Sequence, residues 1–588
     1  MPRTATTTAR AAVPGGEAVA TLERGLTVVR LLAAERSGRL SRADLVRATG
    51  LARSSLDRVA ATLRHLGYLR AEGQDLLPAP RLMEFGNAYL AASRIPALLG
   101  PLAHRLADRL DESVSISVPD RDGARFVVQC PRRRAMAVTF QVGDLLPAER
   151  CAPGALFAAD WDEEQWAHWR RRLRTDPLAA GFLVVPPHRG ALPGAADFES
   201  RARRAGQSGL AVDDQLVEPG LVAVALPVTG PDGAIVCALS VVSHTSRHTA
   251  DSLRKLALPL LRTSAGAMER ALADPSGADL AAEPPAVGPA VRGAAQLRAA
   301  KDEIGPEFLQ SLARGLSVLT SLRTPGGLTL TEAAQATGLA RATARRALLA
   351  LCDLGYASGG SDMRRFTLQP RVLELGYAAQ AGLTFERLAT PYLADLVRRV
   401  HDSSSVAVLD GVDIRYVARV ATTRVMGVDL AVGTRLPASA TAMGRVLLAG
   451  MPSGQAADLL ARSAREPLNG RTLTELPDLL AALDRARTDG FALVDQELEA
   501  GLRSLAVPVH DRAGDVVAAL NVAVHAAHRT SDDLRTHVLP ELAATARLIE
   551  DDLAAATEWL SSAAPLGRPA IPAPDGTSGE ESDLRAVR

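Results

Sequence analysis

Arginines and small side chains alternate along "GLARATARRALLALCDLGY", where Ala344, Ala347, Leu348 and Leu351 recur at helical spacing and Arg341, Arg345 and Arg346 fall off that stripe. A helix face of guanidinium groups among small residues suits double-stranded DNA, because arginine pairs with both phosphates and guanine edges. Arg341, Thr343, Arg345 and Arg346 are therefore candidate DNA contacts, with a solvated helix face as the alternative. An earlier segment, "GLARSSLDRVAATLRHLGYL", repeats the pattern with Leu56, Val59, Ala60 and Leu63 inward and Arg53, Ser54, Ser55 and Arg58 outward. A second chemistry is small-molecule binding. Alternation in "LRSLAVPV" and "AALNVAVH" places Ser504 beside Ala506 and Pro508 on one face and Asn521 between Ala519 and Ala523, and a turn near Asp511 to Asp515 sets the two polar residues opposite each other. Ser439 opens a small-residue helix toward Arg445, whose free amides favour an anion such as a carboxylate. The plainer alternatives are a simple cap for Ser439 and a backbone partner for Asn521. No GxSxG, HExxH, Walker or GxGxxG sequence stands in a fitting context. His244 with His248, and His525 with His528, have helical metal spacing but follow strand patterns without a third ligand, so neither a metal nor a cofactor is expected.

The elements that must position these groups follow from local signals. Thr329 followed by Glu332 is a capping-box start for a short helix ended by Gly338, and the arginine-bearing helix comes next. The stretch "LGYASGGSDMRRFTL" then reads as a hairpin carrying Arg364 and Arg365. Helix, short helix, turn, helix, hairpin is the order of a winged helix-turn-helix, whose second helix of the turn enters the major groove. In the earlier segment Ser41 and Asp44 supply the cap. There Asp57 stands in place of Arg345, and Glu72 and Asp75 stand in the hairpin, so weaker DNA binding is expected of that segment. Beyond each hairpin come helices, then strands ("SVAVLDGVDIRYVARV"), a helix ("ATAMGRVLLAG") and strands again. That order marks an α+β domain around an antiparallel sheet.

The whole pattern occurs twice. "TLERGLTVVRLL" from Thr21 matches "SLARGLSVLTSL" from Ser311, and "VDDQLVEPGLVAVALPV" from Val212 matches "LVDQELEAGLRSLAVPV" from Leu493. The expected organisation is a tail over 1–18, a winged helix-turn-helix over 19–94, an effector-like domain over 95–272, a linker over 273–306, a second winged helix-turn-helix over 307–384, a second effector domain over 385–556 and a tail over 557–588. Composition bounds the partners. The chain has 588 residues with 67 Lys+Arg against 66 Asp+Glu, which excludes a generally basic coat for nucleic acid but not a local basic patch. Aromatic residues at 3% argue against stacking platforms for single strands. The cysteines Cys130, Cys151, Cys237 and Cys352 are scattered without CxxC spacing, the pattern of reduced thiols in the cytoplasm. No apolar run is long enough to span a membrane.

These motifs, taken in order, resemble the IclR family of bacterial transcriptional regulators. The segments that carry the resemblance are "LARGLSVLTSL", "LTLTEAAQATGLARATARRALLALCDLGY", "FTLQPRVLELG", "LPASATAMGRVLLAG", "VDQELEAGLRSLAVPV" and "AALNVAVHAAHRTS". The second copy matches nearly end to end and looks most like the branch controlling aromatic-acid catabolism; the first is degenerate. The resemblance implies a winged helix-turn-helix joined to a GAF-like effector domain, dimers made through the DNA-binding domains, and repression or activation governed by a small carboxylate or aromatic effector. Carried over by motif, it adds Ala442, Met443, Asp495 and Ala523 to Ser439, Ser504 and Asn521 as effector contacts. In the first copy the matching positions hold Glu149, Pro153, Ala223 and Ser240, and an acid at Glu149 is expected to repel a carboxylate. The partners expected are operator DNA, the effector, an intramolecular pseudo-dimer and a homodimer. A hydrolase using the α+β domain is the alternative function.

Overall fold

The computed structural model describes residues 16–35, 38–132, 140–179, 181–182, 194–274, 293–360, 362–377, 385–422, 431–463 and 465–563. Contacts divide the chain into two compact units, Met1–Leu383 with Asp551–Ala563 and Thr384–Glu550 with Ala564–Arg588. The first unit holds both helix-and-wing domains (the heads) and the first sheet domain; the second holds the second sheet domain, and the sheet domains are called sensors after the role expected of them.

The first head is α1 (Gly16–Ala34), β1 (Leu40–Ser41), α2 (Arg42–Thr49), α3 (Arg53–His65), β2 (Leu69–Glu72) and β3 (Asp75–Pro78). Ser41 caps α2 by accepting from the Asp44 amide at 3.1 Å, and Gly50 closes it at φ 66°. The first sensor follows: α4 (Met83–Ser93), α5 (Ile95–Leu110), β4 (Ser113–Asp120), β5 (Gly123–Cys130), β6 (Leu145–Pro147), α6 (Ala152–Ala158), α7 (Glu163–Thr175), α8 (Ala195–Ser208), β7 (Ala211–Asp214), β8 (Leu221–Thr229), β9 (Ile235–His244) and α9 (Ala250–Ala273). Residues 275–292 of the expected linker lie outside the described residues, and its end forms a helix, α10 (Ala294–Ile304).

The second head repeats the first: α11 (Gln310–Ser321), β10 (Leu328–Thr329), α12 (Leu330–Thr337), α13 (Arg341–Asp353), β11 (Ala357–Ser358) and β12 (Arg365–Leu368), then a 3-10 segment Pro370–Leu375. The capping box forms, with Thr329 and Glu332 satisfying each other's backbone amides at 3.2 and 2.7 Å. The second sensor comprises α14 (Phe385–Val400), β13 (Ser403–Asp410), β14 (Asp413–Val420), β15 (Arg435–Pro437), α15 (Ala442–Ala449), α16 (Ser453–Arg462), α17 (Leu476–Asp489), β16 (Ala492–Asp495), β17 (Leu502–His510) and β18 (Val516–His525), and a last helix spans Leu539–Ala563.

Each sensor is built on a six-stranded sheet in the order β6-β5-β4-β9-β8-β7 or β15-β14-β13-β18-β17-β16, antiparallel at every pairing. One sheet face packs on the short helix after the third strand: in the second sensor Ala442, Met443 and Val446 join Ala407, Tyr416, Ala506 and Ala519 in one buried cluster. In both sensors a glycine lets that helix lie close against the 3-10 turn that precedes it. A Cβ on Gly444 would strike the Ala438 backbone, and one on Gly154 the Ala148 backbone.

The two heads pack together about a pseudo-twofold axis. α1 crosses α11, α3 touches α11 and α13 touches α1. Leu22 lies over Gly315, where a Cβ would come within 2.6 Å of its Cδ1, and the matching Leu312 lies over Gly25. Glycine at each crossing lets the leucine of the other copy reach the helix backbone. Farther along, Gly86 faces Leu373, where a Cβ would come within 2.8 Å, and the Tyr377 hydroxyl donates to Asn87 Oδ1.

Candidate functional site

In the heads, the expected DNA contacts divide between two surfaces. Arg341, Arg345 and Arg346 are exposed, and among the described residues none has an ion-pair partner. Arg53, Ser54 and Arg58 are exposed too, while Ser55 and Thr343 are half-buried. Helical spacing puts Arg341 and Arg345 on the outer face of α13, as it puts Arg53 and Ser54 on that of α3. Arg58 and Arg346 turn instead toward the axis between the heads. Together with Ser55 and Arg24 of α1 they line one groove of 480 Å³. Arg24 was not singled out by spacing, although "ERG" and "ARG" in the two copies keep an arginine before the crossing glycine.

Two wing and helix expectations change. Arg365 is engaged inside its own head: its guanidinium donates to the Gly326 and Gly327 carbonyls at 3.1 and 2.9 Å and lies 3.5 Å from Glu332, tying the wing to the start of α12. Arg364 is the outward one, 3.6 Å from Asp362. Asp57 does not stand as a bare negative charge, since Arg42 lies 3.6 Å away.

In the second sensor, Asn521 is 3% exposed and donates from Nδ2 to Ser504 Oγ at 3.0 Å. The strands pair Ser504 with Ala523 and Asn521 with Ala506, so the two polar residues are diagonal neighbours across the strand pair. Among the described residues Asn521 Oδ1 has no partner, an acceptor left open on a buried face. Beside it, β13 pairs Asn521 with Ser405 and β14 pairs Ser405 with Arg419, whose Nη1 is 3.4 Å from Ser405 Oγ. Arg419, Ser405 and Asn521 thus form one row across three strands, on the face that carries Ala407 and Tyr416. Burial pushes the Tyr416 hydroxyl up to about 12, so it stays neutral.

Above this face, the sequence places the helix cap two residues early. Ser439 lies in a 3-10 turn and Thr441 is the cap, accepting from the Gly444 amide at 3.1 Å. The amides of Ala442 and Met443 open the helix next to the cluster. Arg445 ties this corner down, donating to the Ser439 carbonyl at 3.2 Å and to Glu497 at 2.8 Å. Asp495 is not part of the arrangement. It pairs with Arg503 on the opposite sheet face, through two bonds of 3.0 Å, and those bonds hold its carboxyl below the usual range. Val494 is the residue of that strand that faces Ser504.

The first sensor keeps the frame with different groups. Its row is Gln129, Ser115 and Ser240. Among the described residues Gln129 Nε2 and both serine hydroxyls lack partners. At the position of Val494 stands Asp213, fully buried and pushed up to about 7 by that burial. Glu149 does not act as a free negative charge. Arg172 grips both its oxygens at 2.6 Å, Trp169 Nε1 donates to it at 3.0 Å, and Arg172 also bonds Asp122 at 2.7 Å. Trp169 packs with Phe198 at 4.9 Å in the core. The histidine pairs serve local roles: His244 Nδ1 is 2.8 Å from Ser246 Oγ, and His248 faces Glu112 at 3.6 Å. Among the described residues no three metal-ligating side chains converge, and no helix is long and apolar enough to cross a membrane.

Comparison with known proteins places both copies. The family described as "IclR helix-turn-helix domain" matches residues 21–73 and 311–359, and "Bacterial transcriptional regulator IclR C-terminal" matches 87–270 and 379–551. The Pca regulon regulatory protein of Pseudomonas putida is 42% identical over 244 residues, covering 41% of this chain and 83% of its own. The p-hydroxybenzoate hydroxylase transcriptional activator of Acinetobacter baylyi is 31% identical over 246 residues, covering 41% and 90%. Among solved structures, a transcriptional regulator from Rhodococcus sp. RHA1 shares 48% identity over 42% of this chain and 98% of its own, with a TM-score of 0.39. A doubly mutated inducer-binding domain of PobR from Acinetobacter, solved with 3-hydroxybenzoic acid, shares 30% over 28% and 97%, with a TM-score of 0.27.

Proposed function

The chain belongs to the IclR family of bacterial transcriptional regulators, and we propose that it acts as a single-chain pseudo-dimer whose second sensor takes a small aromatic carboxylate. Family membership sets the hydrolase alternative aside. The observation that carries the proposal is an asymmetry laid on a shared frame. The heads pair through residues present in both copies, whereas the groups suited to recognition are concentrated in the second. Arg345 of α13 corresponds to Asp57 in α3, and Arg419 of the sheet row corresponds to Gln129. A guanidinium beside two hydrogen-bonding side chains and a helix start suits a carboxylate, and the apolar cluster suits a ring. The relatives named for the Pca regulon and for p-hydroxybenzoate hydroxylase favour an aromatic acid among carboxylates.

Control of DNA binding then follows from linkage: the acid changes operator affinity only so far as it binds two domain arrangements unequally. The outer arginines of α13 read base edges, while Arg24, Arg58 and Arg346 in the axial groove hold phosphate, which positions the heads without reading sequence. The test is calorimetric titration of the full chain with 4-hydroxybenzoate and protocatechuate. Binding with one site per chain, weakened roughly tenfold or more in Arg419→Gln by loss of a charge-assisted contact, is expected. Two equal sites, or unchanged affinity in Arg419→Gln, overturns the assignment.

A further inference from the structure

A cavity of 370 Å³ lies within the first unit, outside both sensor faces. Its walls come from the first sensor, with Tyr89 and Ala92 of α4, Val118 at the end of β4 and Val236 of β9, and from the second head, with Thr367 of β12 and the turn at Gly326. The Tyr89 residue is 7% exposed, yet among the described residues no hydrogen-bond partner reaches its hydroxyl. That hydroxyl is a donor open to the space that Tyr89 lines, and the space is large enough for a ring. Burial, reinforced by Asp120, pushes the Tyr89 hydroxyl up, so it is a neutral donor. No charged side chain lines the space, and a carboxylate there would be desolvated without a counter-ion.

The walls are held in register by ions outside the cavity. Glu374 of the second head accepts from Arg121 of the first sensor at 3.3 Å, and from Tyr356 and Arg371 of its own head at 2.9 and 3.0 Å. An occupant would therefore touch the first sensor and the second head together.

We propose that this cavity is a binding site for a small uncharged molecule with one aromatic or aliphatic body and one hydrogen-bonding group, of the phenol or alcohol class, anchored by the Tyr89 hydroxyl. It differs in ligand class and in location from the carboxylate site of the second sensor and does not rest on it. Phenol is the probe. Saturable phenol binding to the full chain, measured by ligand-observed NMR, should weaken roughly fivefold in Tyr89→Phe, the loss of one neutral hydrogen bond. It should vanish in Ala92→Trp, which fills the cavity from α4. Titration with 4-hydroxybenzoate should be unaltered in both. Should Ala92→Trp not fold, Thr367→Trp fills the space from the opposite wall. Absence of saturable binding to the wild type, or phenol affinity unchanged by Tyr89→Phe and by cavity filling, overturns the proposal.

Discussion

Replacing Gly315 by alanine sets two effects of similar size against each other. In an isolated helix the change is favourable by roughly 1 kcal/mol, because alanine restricts the unfolded chain and glycine does not. At the crossing with α1, however, the new Cβ would stand 2.6 Å from Leu22 Cδ1, and Leu22 is 2% exposed with nowhere to retreat. Overpacking of this kind costs about 1–3 kcal/mol. The head itself should thus hold or gain local stability while the head-to-head contact loses about 1–2 kcal/mol, which is on the order of tenfold in the fraction of paired heads. The measurement is a double-mutant cycle with Leu22→Ala, read by urea unfolding and by affinity for an operator with two half-sites. Leu22→Ala alone should cost about 2–5 kcal/mol as a buried leucine truncation. If the clash is real, the double variant should be less destabilised than the sum by about 1–2 kcal/mol. Gly25→Ala with Leu312→Ala should give the same coupling from the other side. Strict additivity in both cycles, or a Gly315→Ala protein that is simply more stable and binds the operator as before, would refute the pseudo-twofold packing as the means of pairing.

Two further outcomes follow from the side chains described above. Arg345→Ala should weaken operator binding and relax discrimination at one base position by about 1–3 kcal/mol, whereas Arg346→Ala should weaken all sequences alike and lower the salt slope by about one; equal loss of specificity in both variants would contradict the division of the two surfaces. For Asp213 the sign runs against stability: a carboxyl held protonated to about pH 7 in the fold but ionising near pH 4 when unfolded makes the fold less stable as pH rises between those values. Asp213→Asn should therefore leave the unfolding free energy unchanged near pH 4, raise it increasingly up to pH 7 by roughly 1.4 kcal/mol per pH unit, and hold that gain above; calorimetry showing no pH-dependent gain would remove the buried acid from the account.

Much of the fold is legible in local sequence because its signals are local. Thr329 with Glu332, Ser41 with Asp44 and the apolar stripe of α13 each depend on residues within two turns, and each forms as spacing implies. The candidate site is legible only where strand parity survives. Simple alternation puts Ser504 and Asn521 on the sheet face they share. Arg419 is not, because the register shifts between Val406 and Ala407, and that bulge brings both Tyr416 and Arg419 to the face that Ala407 shares. Parity without the bulge would put one of them behind the sheet. Asp495 shows the converse: it is one residue from Val494, and a single step along a strand reverses the face. The pairing of Glu149 with Arg172 lies beyond any local rule, since the partners come from separate elements and meet only after α7 has packed.

The tandem arrangement has a physical consequence for how the copies diverge. In a homodimer every substitution appears on both sides of the axis, so a residue meeting its own copy must suit itself. Asn87 and Tyr377 occupy matching positions and meet in a hydrogen bond. Two tyrosines there would crowd the glycines beside them, Gly86 and Gly376, and two asparagines would leave the space under-filled. One chain carrying both halves removes that constraint, and the same freedom allows Gln129 to stand opposite the role of Arg419 and Glu149 to be sealed by Arg172 and Trp169 without harming the second sensor. The unlike pair also biases assembly: Asn87 and Tyr377 are joined at the high effective concentration of one polypeptide, while pairing between like copies of two chains would set equal residues face to face. Intrachain pairing of the heads is therefore favoured twice over, by connection and by complementarity.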